Sequence, residues 1–200
     1  MVEYLDAIDK HFLIWIHQHF SNSIFDLVMP FITDANNWIF PILTLIVYLG
    51  FKCGKRGKIT LVLLIIGLSV TDSICAQILK PFFERVRPSY LDLGELNLLV
   101  SKGGKWSMPS NHAANIFTFS VILGYFYEKI KIPLFSLAIL IAFSRVYVGV
   151  HYPGDVIVGF FIGYFIGWVL LTLWIVLKMR ELKRRRTWIW YEGDPPVFNT

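Results

Sequence analysis

Five long apolar segments dominate this 200-residue sequence and restrict its fold more than any other feature. They cover residues 38–51, 59–83, 110–127, 133–150 and 155–177. A transmembrane helix needs about 20 mostly apolar residues, and these segments reach or approach that length. With 56% hydrophobic and 16% charged residues, the chain has more apolar surface than one soluble core can bury. The sequence therefore predicts an all-α, polytopic membrane bundle. It excludes a soluble enzyme, a disordered protein and a disulfide scaffold.

The first 35 residues differ from these segments because polar residues interrupt the apolar ones. Apolar residues such as Leu5 and Phe12 recur at helical spacing, which predicts an amphipathic helix in the membrane interface. A short apolar helix that ends near Pro30 is expected to follow. A full membrane crossing by residues 12–33 is the alternative.

The basic residues predict how the bundle is oriented in the membrane. Twelve of the 19 lysine and arginine residues lie in segments 52–58, 129–131 and 178–186, and five crossings place these segments on one side. Short loops rich in lysine and arginine stay in the cytoplasm, so this side is expected to be cytoplasmic. The loops at 84–109 and 150–155 then face away from the cytoplasm.

The remaining length leaves no room for a second domain. The expected layout is a single membrane-embedded domain over residues 1–178, with amphipathic helices at 1–35, a transmembrane core at 37–178 and a basic cytoplasmic tail at 179–200. In the last apolar segment, Gly159, Gly163 and Gly167 recur every four residues. This stripe of small residues predicts close packing against another helix.

Three cations fall at the predicted outer helix ends, namely Lys80, Arg87 and Arg145. A charge inside a membrane is costly, so a group of like charges there predicts an anionic ligand. A phosphate monoester carries about −1.5 to −2 charges and three acceptor oxygens, which suit arginine. Ser110 stands where a helix N-cap is expected, so free backbone N–H groups would point at the same anion.

Two histidines lie at the same membrane depth as these cations. His112 follows the Ser110 cap, and His151 precedes Asp155 by four residues. Phosphoryl transfer through a covalent intermediate needs a neutral nucleophile and a separate proton donor, and histidine can fill both roles. Asp155 can orient His151 and stabilise the cation that forms on attack. No carboxylate cluster accompanies the motifs, so we expect neither a metal ion nor another cofactor.

These residues form a pattern in three parts: Lys80-x6-Arg87-Pro88, Pro109-Ser110-Asn111-His112 and Ser144-Arg145-x5-His151-x3-Asp155. The pattern resembles the tripartite signature of the type-2 phosphatidic acid phosphatases, also called lipid phosphate phosphatases. The resemblance spans residues 80–155, and the helix pattern extends it to most of the chain. One departure is Asn111, where the family most often has glycine.

The resemblance implies a six-helix membrane phosphatase that works without divalent metal. It implies that His151 becomes phosphorylated, that Asp155 assists it and that His112 protonates the leaving group. The groups that would bind the phosphate are Lys80, Arg87, Ser110, Arg145 and the backbone near Asn111.

Two further expectations concern the surroundings of these motifs. Asp72, about two helical turns before Lys80, either pairs with Lys80 or Arg145 or faces other helices, and it has no expected catalytic role. The apolar residues of the long outer loop are expected to shape the lipid entrance; they are Tyr90, Leu91, Leu93, Leu98, Leu99 and Trp106.

The leading hypothesis is a bacterial lipid phosphatase in the cytoplasmic membrane, with its site on the outer face. Undecaprenyl pyrophosphate, lipid A 1-phosphate, phosphatidylglycerol phosphate and phosphatidic acid all stay open as substrates. A lipid phosphotransferase and a non-enzymatic headgroup-binding scaffold or flippase are the alternatives. The expected partners are membrane lipids and no nucleic acid, and the oligomeric state is left open.

Overall fold

A computed structural model describes residues 2–91, 93 and 96–196 of the chain. The α-helices of this part are α1 (Val2–Phe20), α2 (Ser23–Thr33), α3 (Ile39–Val47), α4 (Gly54–Ser73), α5 (Lys80–Phe83), α6 (Asn111–Phe126), α7 (Lys131–Tyr147) and α8 (Pro153–Lys183). Wider π-helical turns lie at Tyr48–Lys52 and Ile74–Leu79, and 3-10 turns lie at Ala35–Trp38, Pro88–Tyr90 and Glu128–Ile130. These residues contain no strand beyond one isolated bridge between Val86 and Trp106. The predicted all-α membrane bundle is confirmed.

Three or four of the predicted membrane crossings can be identified by length and composition alone. Within the described residues, Gly54–Phe83, Glu128–Tyr147 and Pro153–Lys183 are long and apolar enough to cross a bilayer. Ser23–Thr33 and Ala35–Lys52 add a fourth if they form one span bent by 64°. Helix α6 has 16 residues, somewhat fewer than the usual span, and the segment at 38–51 meets α2 at this bend.

The second helix extends one turn beyond its predicted end. Pro30 lies inside α2, which ends where the Asp34 N–H donates to the Pro30 carbonyl. A proline removes the hydrogen bond that its own nitrogen would donate, but its carbonyl still accepts one. The predicted short apolar helix is present, and its last turn, after Pro30, brings Thr33 to Arg145.

Helix α6 forms the centre of the bundle and contacts α4, α7 and α8. The glycine stripe of α8 faces it. A methyl group on Gly159 would lie 2.7 Å from the Ser110 carbonyl oxygen, and one on Gly163 would overlap the Ala114 carbonyl. The predicted close packing is confirmed, and it joins the starts of the two helices, because the Ser110 N–H donates to the Asp155 carbonyl at 3.0 Å.

The three basic segments meet at the end of the bundle opposite Asp155. The Arg56 guanidinium lies 4.6 Å from the centre of the Tyr127 ring, and Lys178 Nζ lies 4.8 Å from that of Tyr191. Helix α8 has 31 residues, so it spans roughly 46 Å, more than the hydrocarbon thickness of about 30 Å. The start of α8 and its basic end therefore lie on opposite sides of a membrane.

Candidate active site

His151 and Asp155 form a buried pair where α7 connects to α8. Tyr152 is the N-cap of α8 and Pro153 opens the helix, which puts Asp155 in its first turn. Asp155 Oδ2 accepts from the Tyr152 N–H at 2.9 Å and lies 3.3 Å from His151 Nδ1. The same carboxylate therefore caps the helix and orients the histidine, as the sequence predicts for a folded-back turn.

The second ring nitrogen of His151 does not contact Asp155. With Nδ1–H donating to Asp155, Nε2 carries the lone pair. This Nε2 is buried and has no hydrogen-bond partner among the described residues. Burial, and then the charges of Arg87, Arg145 and Lys80, hold the pKa of His151 well below its usual value. This shift favours the neutral imidazole, which is the form that the sequence leads us to expect of a nucleophile.

Arg85 holds the second oxygen of the Asp155 carboxylate. Its Nη1 donates to Asp155 Oδ1 at 2.8 Å and to Asp9 Oδ2 at 2.7 Å, and its Nη2 donates to Asp6 Oδ1 at 2.8 Å. The guanidinium carbon lies 4.0 Å from the centre of the Tyr152 ring. Burial acts to lower the pKa of Arg85, but the three carboxylates outweigh it and raise the pKa overall. Arg85 is a permanently charged link between α1 and the His151 pair.

Sequence reasoning missed Arg85 as a site residue. It counts there only among the basic residues on the outer side, between Lys80 and Arg87. Its acidic partners on α1 lie more than 70 positions away, so their contact with it leaves no local pattern. The sequence does contain one signal for Arg85. A further charge at this membrane depth is costly, so Arg85 requires a partner of opposite charge.

The predicted phosphate-binding cations converge on the outer loop. Lys80 Nζ and Arg87 Nε both donate to the Trp106 carbonyl at 3.1 Å. The Arg145 carbonyl accepts from the His151 N–H at 3.2 Å, which ties the end of α7 to the histidine. Burial lowers the pKa of Arg87, although the Asp155 charge opposes this, and a guanidinium stays protonated at neutral pH. The charges of all three cations act electrostatically on His151.

The Arg145 side chain reaches away from the helix toward α2. Its Nη1 donates to Thr33 Oγ1 at 2.6 Å. Its Nε is buried and has no hydrogen-bond partner in the described part of the chain. Thr33 is a second contact that sequence reasoning missed, because α2 was expected to end before it.

The middle motif begins α6 as predicted. Ser110 is the N-cap, and its Oγ accepts from the Ala113 N–H at 3.5 Å. Asn111 Nδ2 donates to Asp72 Oδ1 at 2.9 Å, so the Asp72 carboxylate pairs with an amide instead of Lys80 or Arg145. His112 is exposed at the start of α6, close enough to act electrostatically on His151.

Two leucines of the long loop between α5 and α6 pack against the bundle. Leu98 and Leu99 pack against a buried cluster that contains Met29 and Tyr147. Tyr90 and Leu91 stay exposed, with 46% and 38% of their surface accessible. Leu98 and Leu99 therefore attach the loop to the bundle, and the lipid entrance stays a prediction.

The described residues contain no group of three histidine, cysteine, aspartate or glutamate side chains that could hold a metal ion. The positive charge around His151 comes from side chains instead.

Residues 58–179 match the model of the PAP2 superfamily. The chain belongs to the PAP2 superfamily. It is 33% identical over 181 residues to the lipid A 4'-phosphatase of Bacteroides thetaiotaomicron, covering 84% of this chain and 78% of that protein. It is 30% identical over 164 residues to phosphatidylglycerophosphatase B of Bacillus subtilis, covering 76% and 72%.

A solved PAP2 structure has the same fold. The crystal structure of LpxE from Aquifex aeolicus superposes with a TM-score of 0.63 and 29% identity, covering 81% of this chain and 93% of that one. This chain is therefore a PAP2-type lipid phosphatase, a membrane hydrolase. The family predicted from the tripartite signature is confirmed.

Proposed function

We propose that this PAP2 phosphatase hydrolyses a lipid phosphate monoester or pyrophosphate through a phosphohistidine at His151. The observation that carries the proposal is the buried His151–Asp155 pair, whose free Nε2 belongs to a histidine on which the charges of Lys80, Arg87 and Arg145 act. A neutral imidazole next to fixed positive charge suits attack on an anionic phosphoryl group.

The reaction has two displacement steps. In the first, His151 Nε2 attacks phosphorus and the bond from phosphorus to the lipid oxygen breaks. His112, which gains a proton when the bound phosphate dianion neutralises the neighbouring cations, gives that proton to the lipid oxygen. Asp155 then stabilises the cationic phosphohistidine through Nδ1–H. In the second, His112 takes a proton from water as the water oxygen attacks phosphorus. This step releases inorganic phosphate and restores His151.

The charges of Lys80, Arg87 and Arg145 support the binding of the phosphate oxygens. They supply the positive charge that a metal ion gives in other phosphatases. Ser110 and the N–H groups that open α6, near Asn111, offer further donors. Turnover without divalent metal follows from this set.

The substrate is a lipid of the bacterial cytoplasmic membrane, and the site faces away from the cytoplasm. The basic segments at the opposite end of α8 support this orientation. The named relatives act on lipid A and on phosphatidylglycerophosphate. They therefore support a lipid phosphate as the substrate class and do not favour one lipid over the others.

Phosphate release from a panel of purified lipid phosphates tests the function. We expect turnover of at least one lipid with and without chelator, and loss of that turnover in His151→Ala. The matched control is His17→Ala, because His17 is also a buried histidine but packs on Tyr147. Activity in His151→Ala within tenfold of wild type, or activity that requires magnesium, contradicts the mechanism. A phosphorylated acceptor in place of free phosphate identifies a phosphotransferase.

Cysteine labelling in intact cells tests the orientation. In a Cys53→Ser, Cys75→Ala background, Gly104→Cys should react with an impermeant maleimide and Lys183→Cys should not. Gly104 is suitable because a side chain there meets open space. The reverse labelling pattern puts the site in the cytoplasm.

A further inference from the structure

Asp9 of α1 bonds directly to the turn at residues 151–155. Its Oδ1 accepts from the Gly154 N–H at 2.8 Å, and its Oδ2 accepts from Arg85 Nη1 at 2.7 Å. The Asp9 side chain is only 14% exposed. Helix α1 lies outside residues 58–179, which match the family model, so this contact is not part of the family match.

The hydrogen bond to Gly154 supplies an acceptor that α8 itself lacks. The first N–H groups of a helix have no acceptor inside it. Pro153 has no N–H, and the Asp155 N–H donates to the Tyr152 carbonyl at 3.1 Å. The Gly154 N–H is therefore a first-turn donor that depends on another segment, and Asp9 provides its oxygen. A carboxylate at the start of a helix also interacts favourably with the helix dipole.

The approach of Asp9 to α8 requires a glycine. A Cβ on Gly154 would lie 2.6 Å from Asp9 Oδ2, and the three nearest atoms outside α8 all belong to Asp9. This distance is too short for a carbon and an oxygen that are not bonded, so a side chain at position 154 would displace the carboxylate. The carboxylate and the turn are therefore fitted to each other.

A second residue of α1 holds the helix at this position. Leu13 lies one turn after Asp9, on the same face, and is fully buried. It belongs to a buried cluster with Val146 and Tyr152. Asp9 is therefore held against the turn by packing as well as by its own hydrogen bonds.

Through its two partners Asp9 acts on Asp155 from both sides. The Gly154 peptide precedes Asp155 in the chain, and the Arg85 Nη1 that donates to Asp9 also donates to Asp155 Oδ1 at 2.8 Å. The other oxygen of Asp155 lies 3.3 Å from His151 Nδ1, so a shift of this carboxylate would turn the imidazole. A misplacement of about 1 Å can lower a rate about 100-fold, even when the substitution lies away from the reacting atoms.

We propose that Asp9 is a positioning residue for the His151–Asp155 pair, so that the N-terminal helix completes the active site. Asp9 acts through Gly154 and Arg85 and is not itself a catalytic residue. The proposal rests on the proposed function, because it takes His151 as the nucleophile.

Two substitutions at Asp9 test the positioning role. Asp9→Ala removes both contacts, so kcat should fall about 10–100-fold while KM changes less than about twofold. Asp9→Asn keeps an oxygen that can accept from Gly154 but loses the charge next to Arg85. Its kcat should therefore lie between those of Asp9→Ala and the wild type.

The measurements are phosphate release in detergent, on a lipid that the wild type hydrolyses, and thermal unfolding of each variant. Thermal unfolding ensures that kcat refers to folded protein, because a loss of folding alone leaves the kcat of the folded fraction unchanged. His11→Ala is the matched control, since His11 is exposed on the same helix, and its kcat should equal that of the wild type.

Gly154→Ala tests the same contact from the other side. The added methyl group displaces the Asp9 carboxylate, so kcat should fall about tenfold or more in the otherwise wild-type protein. In an Asp9→Ala background the methyl group has space, and Gly154→Ala should then change kcat less than about threefold. This non-additivity is expected only if both substitutions act through one contact.

Four outcomes overturn the proposal. They are wild-type kcat in Asp9→Ala, an increase of KM as its main effect, an equal loss of kcat in His11→Ala, and losses that multiply in the Asp9→Ala, Gly154→Ala double variant. If Asp9→Ala does not fold, wild-type kcat in Gly154→Ala overturns the proposal instead. Wild-type activity in His151→Ala refutes the proposed function, so the two failures are distinguishable.

Discussion

Arg85→Ala is expected to damage both stability and turnover, although Arg85 lies outside the phosphate-binding set. The side chain of Arg85 is 16% exposed and that of Asp155 is fully buried, so the substitution leaves a buried carboxylate without its main partner. Removing one member of a buried ion pair costs about 3–5 kcal/mol. We take the lower end, about 3 kcal/mol, because the Ser107 hydroxyl still donates to Asp155 Oδ1 at 3.4 Å.

The effect on turnover follows from the orientation of His151. Residues that hold a functional side chain in place typically change activity about 10–100-fold when they are removed. We expect that loss in kcat with little change in KM, since Arg85 positions the nucleophile and does not hold phosphate. Arg85→Lys should recover only part of the activity, because one ammonium cannot reproduce the two-nitrogen contact with Asp155, Asp9 and Asp6.

The assay combines thermal unfolding in detergent with steady-state kinetics on the best lipid of the panel. Arg186→Ala is the matched control. The Arg186 side chain pairs with Glu181 at 3.5 Å but is 62% exposed, so its removal should change the free energy of unfolding by less than about 1 kcal/mol. Wild-type kcat in Arg85→Ala refutes the positioning role. A higher KM at unchanged kcat shows that Arg85 binds substrate.

Three further predictions follow from the site and the core. His112→Ala should lose more activity on a phosphate monoester than on a pyrophosphate, because the leaving group of a pyrophosphate needs less protonation. Equal losses in kcat on both substrates would contradict the role of His112 as the acid. The pKa of His151 in the folded protein lies well below its usual value of about 6.5. Below that pH the unfolded chain therefore binds a proton at His151 that the folded protein does not bind. The free energy of unfolding should then decrease on acidification by up to about 1.4 kcal/mol per pH unit, and His151→Asn should flatten that slope in thermal scans. Gly163→Ala should destabilise the protein by about 1–3 kcal/mol, because the added methyl group overlaps the Ala114 carbonyl. Gly50→Ala is the control, because a methyl group there meets open space. Equal melting temperatures of the two variants would refute the close packing.

The parts of this molecule that the sequence predicts are those that local chemistry determines. Ser110 and Asp155 are caps whose place follows from the residues beside them. The glycines of α8 recur with the period of a helix, so their packing role is visible in one segment. The motifs share one end of the bundle because each lies in or beside a connection between membrane helices, and every second connection lies on the same side of the membrane.

The parts that the sequence does not predict depend on contacts between distant segments. The approach of α1 to Arg85 is one example, since nothing in the α1 sequence indicates which cation its carboxylates meet. The partner of Asp72 is another example. The sequence predicts a role for the Asn111 backbone near the phosphate, but it does not indicate that the Asn111 side-chain amide binds the Asp72 carboxylate. The contact of Thr33 with Arg145 depends on how α2 packs on α7.

The stereochemical course at phosphorus tests the central claim, covalent catalysis by His151, most directly. A lipid thiophosphate monoester made chiral with oxygen isotopes would be hydrolysed by the wild-type protein in water that carries the third isotope. Two in-line displacements, one by His151 and one by water, predict inorganic thiophosphate with retained configuration. Inverted configuration means that water attacks the lipid phosphate directly, and it would contradict a phosphohistidine intermediate.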